Sequence, residues 1–83
     1  MRYHPGDYVM TEVQRGFTTT ILVGVVATTL ADNVYTVDFH NTERRDVPAS
    51  KLAPVEEDNI SRRSRSGRRL VSYRNRVLAR LDH

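Results

Sequence analysis

The stretch FTTTILVGVVATTLADNVYTVDF, residues 17–39, decides the fold. From Phe17 to Thr28 it is rich in threonine, isoleucine and valine, side chains that suit a pleated, half-buried surface. It predicts one long strand, bent or bulged at Gly24. Ala31-Asp32-Asn33 predicts a hairpin turn, because Asp and Asn tolerate the backbone conformations that tight turns impose. Val34 to Phe39 then alternates. Tyr35, Val37 and Phe39 share one face while Thr36 and Asp38 share the other, which predicts a core side and a solvent side.

Working outward, the same grammar recurs. Pro5-Gly6-Asp7 is a turn entry, Tyr8 to Val13 a first strand, and Gln14-Arg15-Gly16 its close. Beyond the hairpin, His40-Asn41-Thr42 turns the chain, and Glu43 to Val47 forms a short charged return strand. Pro48 to Leu52 is a tight turn that carries Leu52 back to the core. Five strand signals with no helix between them predict an all-β domain over residues 1–57, a small five-stranded barrel.

Charge divides the chain near residue 58. Residues 1–57 carry five basic and eight acidic side chains, a formal net of −3, whereas residues 58–83 carry eight arginines against Asp58 and Asp82, a net of +6. An acidic body is thus joined to a basic tail, and each half favours a partner of opposite charge. Ser61 to Arg69, SRRSRSGRR, is too polar to offset its ordering entropy, so residues 58–69 are predicted to be a disordered arginine/serine-rich linker. Apolar residues return at Leu70, Tyr73, Val77 and Leu81, the spacing of one helical face, which predicts a basic amphipathic helix over residues 70–83. That end is open to several roles: docking on the barrel, pairing with another protein, lying along a nucleic-acid backbone, or beginning a further repeat, since Arg76 to Arg80 echoes the first strand.

Composition narrows the functional classes. A chain of 83 residues, 39% hydrophobic, supports one modest core and leaves little room for an enclosed catalytic pocket. With no cysteine there is no disulfide, thiolate zinc site or cysteine nucleophile. His4, His40 and His83 have no partner at metal-ligand spacing, and no nucleophile elbow or glycine-rich phosphate loop is present. No run approaches the roughly 18 apolar residues of a membrane span, and the start lacks a signal-peptide core. The expectation is a non-enzymatic intracellular protein without metal or cofactor.

The segments Gly6-Asp7-Tyr8-Val9, Gly16-Phe17, Gly24-Val25-Val26, Tyr35 to Phe39, Asp46-Val47-Pro48 and Lys51-Leu52-Ala53-Pro54, in this order, resemble the Tudor-like members of the SH3-like barrel group, which include Tudor, Agenet and chromo-barrel modules. The resemblance covers about 50 of the 83 residues. It implies a peptide-binding or nucleic-acid-binding module, such as serves chromatin, with no catalytic activity. Many such barrels hold a methylated lysine or arginine in a cage of aromatic rings, whose faces attract the cation. This sequence departs from that pattern, placing Glu12 and Leu22 where two cage aromatics fall. Only Phe39 matches, with Tyr35, Phe17 or Tyr8 as substitutes.

Two groups of candidate contacts follow. Arg62, Arg63, Arg65, Arg68 and Arg69 can hold phosphates bidentately and release condensed counterions; as an alternative they form a solvated linker. Phe17, Tyr35 and Phe39 on the barrel rim can stack a base or grip an arginine, with Glu12 and Asp38 supplying negative charge for a basic peptide. Core packing is the competing role for Tyr35 and Phe39. The leading expectation is an adaptor that binds RNA or DNA through its tail. The alternative is a protein–protein module for an arginine-rich or methylated segment, with no nucleic-acid partner. The sequence leaves the oligomeric state open.

Overall fold

The computed structural model describes residues 2–81. Five antiparallel strands, β1 (Tyr8–Arg15), β2 (Thr18–Ala31), β3 (Val34–Phe39), β4 (Arg44–Pro48) and β5 (Ala53–Pro54), form one sheet in the order β4-β3-β2-β1-β5. Short 3₁₀ turns at Ala49–Lys51 and Glu57–Asn59 flank β5, and one helix, α1 (Arg65–Leu81), closes the chain. No helix among the described residues is long and apolar enough to cross a membrane.

The 14-residue β2 serves two partners in succession. Thr18 to Val25 pairs with β1, and Gly24 to Ala31 pairs with β3. The handover falls at Gly24, where an added Cβ would sit 2.6 Å from Val37 Cγ1 and 2.8 Å from Phe39 Cδ1. Only a residue without a side chain lets β3 cross so close. Register shifts at Val26/Thr28 and Thr29/Ala31 add the twist that bulges impose. The bent strand thereby curls the sheet around an interior, consistent with a small barrel-like fold.

Alternation places Val9, Leu22, Val26, Tyr35, Val37, Phe39, Val47 and Leu52 in that interior, joined by Tyr3. The rings of Tyr3 and Tyr35 meet edge to face at 5.5 Å, and the Tyr3 hydroxyl donates to the Leu52 carbonyl at 3.1 Å. Burial, followed by the fields of Tyr35 and Asp7, raises the Tyr3 pKa. Glu43, just before β4, bridges Arg15 at the end of β1 at 3.1 Å and Arg45 at 2.6 Å. Its carboxyl is held below the ordinary value by hydrogen bonding to Arg45, reinforced by Arg15.

A second apolar cluster lies on the opposite face of the sheet. There α1 sets Leu70 and Val77 against Tyr8 and Val25, with Val23, Val55, Ile60 and Tyr73 around them. Both faces of the sheet's centre are therefore covered. This corrects the expectation that Thr36 and Asp38 face solvent: Thr36 is buried and its hydroxyl donates to Asp46 at 2.8 Å, while Asp38 sits at the margin of the helix and is clamped by Arg44. Burying Leu70 and Val77 is worth about 1.5–3 kcal/mol each, which fixes the helix on the sheet.

The tail also differs from its sequence expectation. The helix begins at Arg65 rather than Leu70, and residues 57–59 form a 3₁₀ turn instead of part of a disordered linker. Ser64 is the reason for the early start: its hydroxyl accepts the Gly67 N–H at 2.9 Å, and its carbonyl accepts the Arg68 N–H at 3.0 Å. That is the geometry of an N-cap. Gly67 is buried against the backbone of Ser61, so the preceding loop folds over the first turn. Arg76 to Arg80, the possible opening strand of a further repeat, is helical, and Asp82 and His83 lie outside the described residues.

Candidate nucleic-acid interface

Helix α1, RSGRRLVSYRNRVLARL, carries six arginines and no carboxylate. At 3.6 residues per turn, the face opposite buried Leu70 and Val77 presents Arg65, Arg68 and Ser72 with Asn75 and Ala79, while Arg76, Arg69 and Arg80 follow along one flank, Arg80 nearest the sheet, so that the exposed arginines form a broad stripe. From Arg65 to Arg80 this stripe spans about 22 Å along the axis. Arg62, 3.8 Å from Glu57, and Arg63 are exposed in the loop just before the helix.

The six helical arginines divide by what they touch. Arg74 faces inward, stacking on the Tyr8 ring at 5.2 Å and donating to Glu57 at 2.7 Å. Its contacts with Tyr8 and Glu57 raise its pKa, so it is a fixed structural cation. Arg69 donates from Nη1 to the His40 carbonyl, tying the helix start to the end of β3. Arg76 lies over Tyr73 at 5.4 Å with its charge still exposed. Among the described residues, no carboxylate lies within ion-pair distance of Arg63, Arg65, Arg68, Arg76 or Arg80.

This arrangement works against the helix that carries it. Cations in the first turn oppose the macrodipole, which favours negative charge there. Arg65–Arg69 and Arg76–Arg80 are like-charge pairs at i, i+4, each destabilising by a few tenths of a kcal/mol. The burial of Leu70 and Val77 outweighs those terms. Arg80, in the last turn, has the sign the dipole favours, so the unfavourable terms come from the N-terminal arginines and the like-charge pairs.

At its C-terminal end the stripe meets the sheet. Arg76 and Arg80 line a small cleft with Tyr73, Val77, Ala27, Asp38 and Arg44. Arg44 holds Asp38 through two bonds, Nε–Oδ1 at 2.6 Å and Nη2–Oδ2 at 3.1 Å, and this partner raises the Arg44 pKa. With its one carboxylate neutralised, the cleft keeps a net positive charge. The basic surface therefore runs from the Arg62 loop to the β3–β4 edge.

The five rim candidates do not come together. Tyr35 is 2% exposed and Phe39 0%, both within the interior, so neither can contact a ligand. Their alternation with Val37, which is equally buried, is the reason. Asp38 is occupied by Arg44, and Glu12 is exposed on β1 opposite Ile21. Phe17 alone projects fully into solvent. These positions supply no aromatic cage. Of the tail candidates, Arg65 and Arg68 take their place on the outer stripe and Arg69 turns to His40. Sequence reasoning left Arg76 and Arg80 out of the candidate set, although their i+11 and i+15 offsets from Arg65 were the signal that would have included them.

No family model, curated protein or solved structure matches the chain.

Proposed function

We propose that this protein binds nucleic acid without catalysis, through the arginine-lined outer face of α1. One observation carries the proposal: an ordered helix holds Arg65, Arg68, Arg76 and Arg80 exposed along its outer face and flank, none of them within ion-pair distance of a carboxylate among the described residues. Guanidinium groups pair bidentately with phosphate oxygens, and a stripe of them tracks a polyanionic backbone without reading sequence. The sheet is the platform that orients this stripe. We read that platform as a Tudor-like, SH3-like barrel, a reading supported by the simple meander order and by the tight turn before a short closing strand. Its interior aromatics leave the Tudor-type recognition of a methylated side chain without a cage.

The test is fluorescence anisotropy of labelled RNA and DNA oligonucleotides with the full chain and with a variant carrying Arg65→Gln, Arg68→Gln, Arg76→Gln and Arg80→Gln. Glutamine keeps length and helix propensity while removing charge. Affinity falls at least tenfold in the variant for every sequence tried. Equal affinity of the two proteins would exclude the helix as the contact.

A further inference from the structure

Resting on that function, we infer that the nucleic acid bound is single-stranded, with one unpaired base stacked on Phe17 beside the sheet face that α1 leaves bare. Phe17 occupies the tip of the β1–β2 hairpin, where Arg15 pairs with Thr18 and only Gly16 and Phe17 form the loop. Gly16 has φ of +63°, the first-position requirement of a two-residue turn of the II′ kind. The second position requires only an ordinary negative φ, so nothing in the turn calls for an aromatic ring. Yet the ring is fully exposed, forfeiting the burial that favours an aromatic side chain in a core. No core contact accounts for it.

The sheet face between this ring and the helix is uncovered: apolar at Met10 and Ile21, with the exposed Glu12 carboxylate beside Ile21 and the Gln14–Thr19 pair nearest the turn. On the outer face of the sheet, Tyr8 and Val25 lie beneath α1, and Val23 packs at its edge. Met10, paired with Val23, is 37% exposed; Ile21, paired with Glu12, is 52% exposed. Both line a groove against residues 50–53. The helix ends its cover here, because His40 donates its N–H to the Val23 carbonyl at 2.9 Å and accepts from Arg69. The basic segment Arg62 to Arg69 therefore borders the bare strip, and Phe17 lies about 20 Å further along β2 at 3.4 Å per residue.

Charge decides the occupant. An uncovered face with an arginine cluster at one end and an isolated aromatic at the other fits a chain that alternates phosphates with flat, unpaired bases, because every base offers a π-face; Met10 and Ile21 give it apolar contacts, and the single Glu12 carboxylate is outnumbered by the arginines that hold the phosphates. In a duplex those faces are stacked on one another, and a protruding ring reaches them only by unstacking a step, at a cost of a few kcal/mol. The helix row does not distinguish strands; Phe17 does.

The experiment measures binding of the full-length protein to an unstructured single-stranded oligonucleotide and to its duplex at one ionic strength. The variants are Phe17→Ala, Phe17→Trp and the Arg65/Arg68/Arg76/Arg80→Gln set. Phe17→Ala weakens single-strand binding about five- to 100-fold, the range of one base–aromatic stack, and changes duplex binding less than about twofold. Phe17→Trp restores single-strand affinity, and as the sole tryptophan of the chain its emission is quenched on binding. Equal losses on both substrates, no loss on either, or an unquenched tryptophan would overturn the stacking role. So would a Phe17→Ala change that dissociates a dimer in sedimentation while leaving nucleic-acid affinity intact, since the strip would then be a protein interface. Failure of the proposed function reads differently: there the arginine set leaves both substrates bound as before.

Discussion

In a helix interior, glycine to alanine normally stabilises by about 1 kcal/mol. Gly67→Ala in α1 reverses that sign. A Cβ built there lies 1.6 Å from the Ser61 carbonyl oxygen, 2.6 Å from its carbon and 2.9 Å from Ser64 Oγ. An ordinary contact needs at least about 3.2 Å, so the Ser61 backbone must retreat by roughly 1.6 Å, and backbone has no rotamer to yield. Retreat pulls Ser64 from the Gly67 N–H and forfeits a cap worth about 1 kcal/mol. Overpacking strain adds about 1–3 kcal/mol, and the gain in propensity offsets about 1. The net loss is about 1–3 kcal/mol, or a fall in Tm of roughly 5–15 °C for a domain of this size. Thermal unfolding by circular dichroism at 222 nm measures it. Hydrogen exchange localises it to residues 61–69, and nucleic-acid affinity falls although no charge has been removed. An unchanged or raised Tm would refute the packing of the loop over the first helical turn.

Ser64→Ala, which removes the cap but adds no clash, costs about 1 kcal/mol in chemical denaturation and frays the helix start in amide exchange. Phe39→Ala empties the interior and costs about 3–5 kcal/mol, enough to unfold much of the population; a folded variant with only a binding defect would contradict the burial of Phe39. Tyr3 has a pKa raised by burial, so the folded state favours its neutral form. Its contribution is fully present below the ordinary value of 10.0 and is lost as pH rises through the folded value. Denaturation midpoints should therefore decline above about pH 10, with a smaller decline in Tyr3→Phe; identical profiles would remove Tyr3 as the cause.

The hairpins were legible because their chemistry is local. Branched residues in β2, alternation in β3 and Asp32-Asn33 between them mark strands and turn without reference to distant residues. Local patterns also marked Tyr35, Val37 and Phe39 as one face, and burial of Val37 alongside the two aromatics decides core against cage. What the sequence concealed was non-local. Val25 and Val26, adjacent and both fully buried, imply that both faces of β2 are covered, yet nothing nearby says that Leu70 and Val77 do the covering. The helix start was hidden for a similar reason: SRRSRSGRR has the composition of a disordered tail, and Ser64 caps it only because Gly67 admits the Ser61 backbone. Tyr3 stood in a polar N-terminal segment with no periodicity, so its place in the interior had no signal.

The site followed the same division. Arginine content alone marked the tail as basic, but a disordered tail and a helical row with equal charge make different contacts. Docking on the sheet converts composition into geometry: it turns Arg74 and Arg69 inward as structural cations and leaves Arg65, Arg68, Arg76 and Arg80 outward.

The most direct measurement of that geometry is an NMR titration of the full chain with an oligonucleotide, following backbone amides and arginine Nε–Hε resonances. The largest shifts fall on Arg65, Arg68, Ser72, Arg76 and Arg80, with Arg74 Nε and the turn surface formed by Asn33, Ala49 and Ser50 unmoved. Shifts centred on Asn33 and Ala49, or none at all along the arginine stripe of α1, would contradict it.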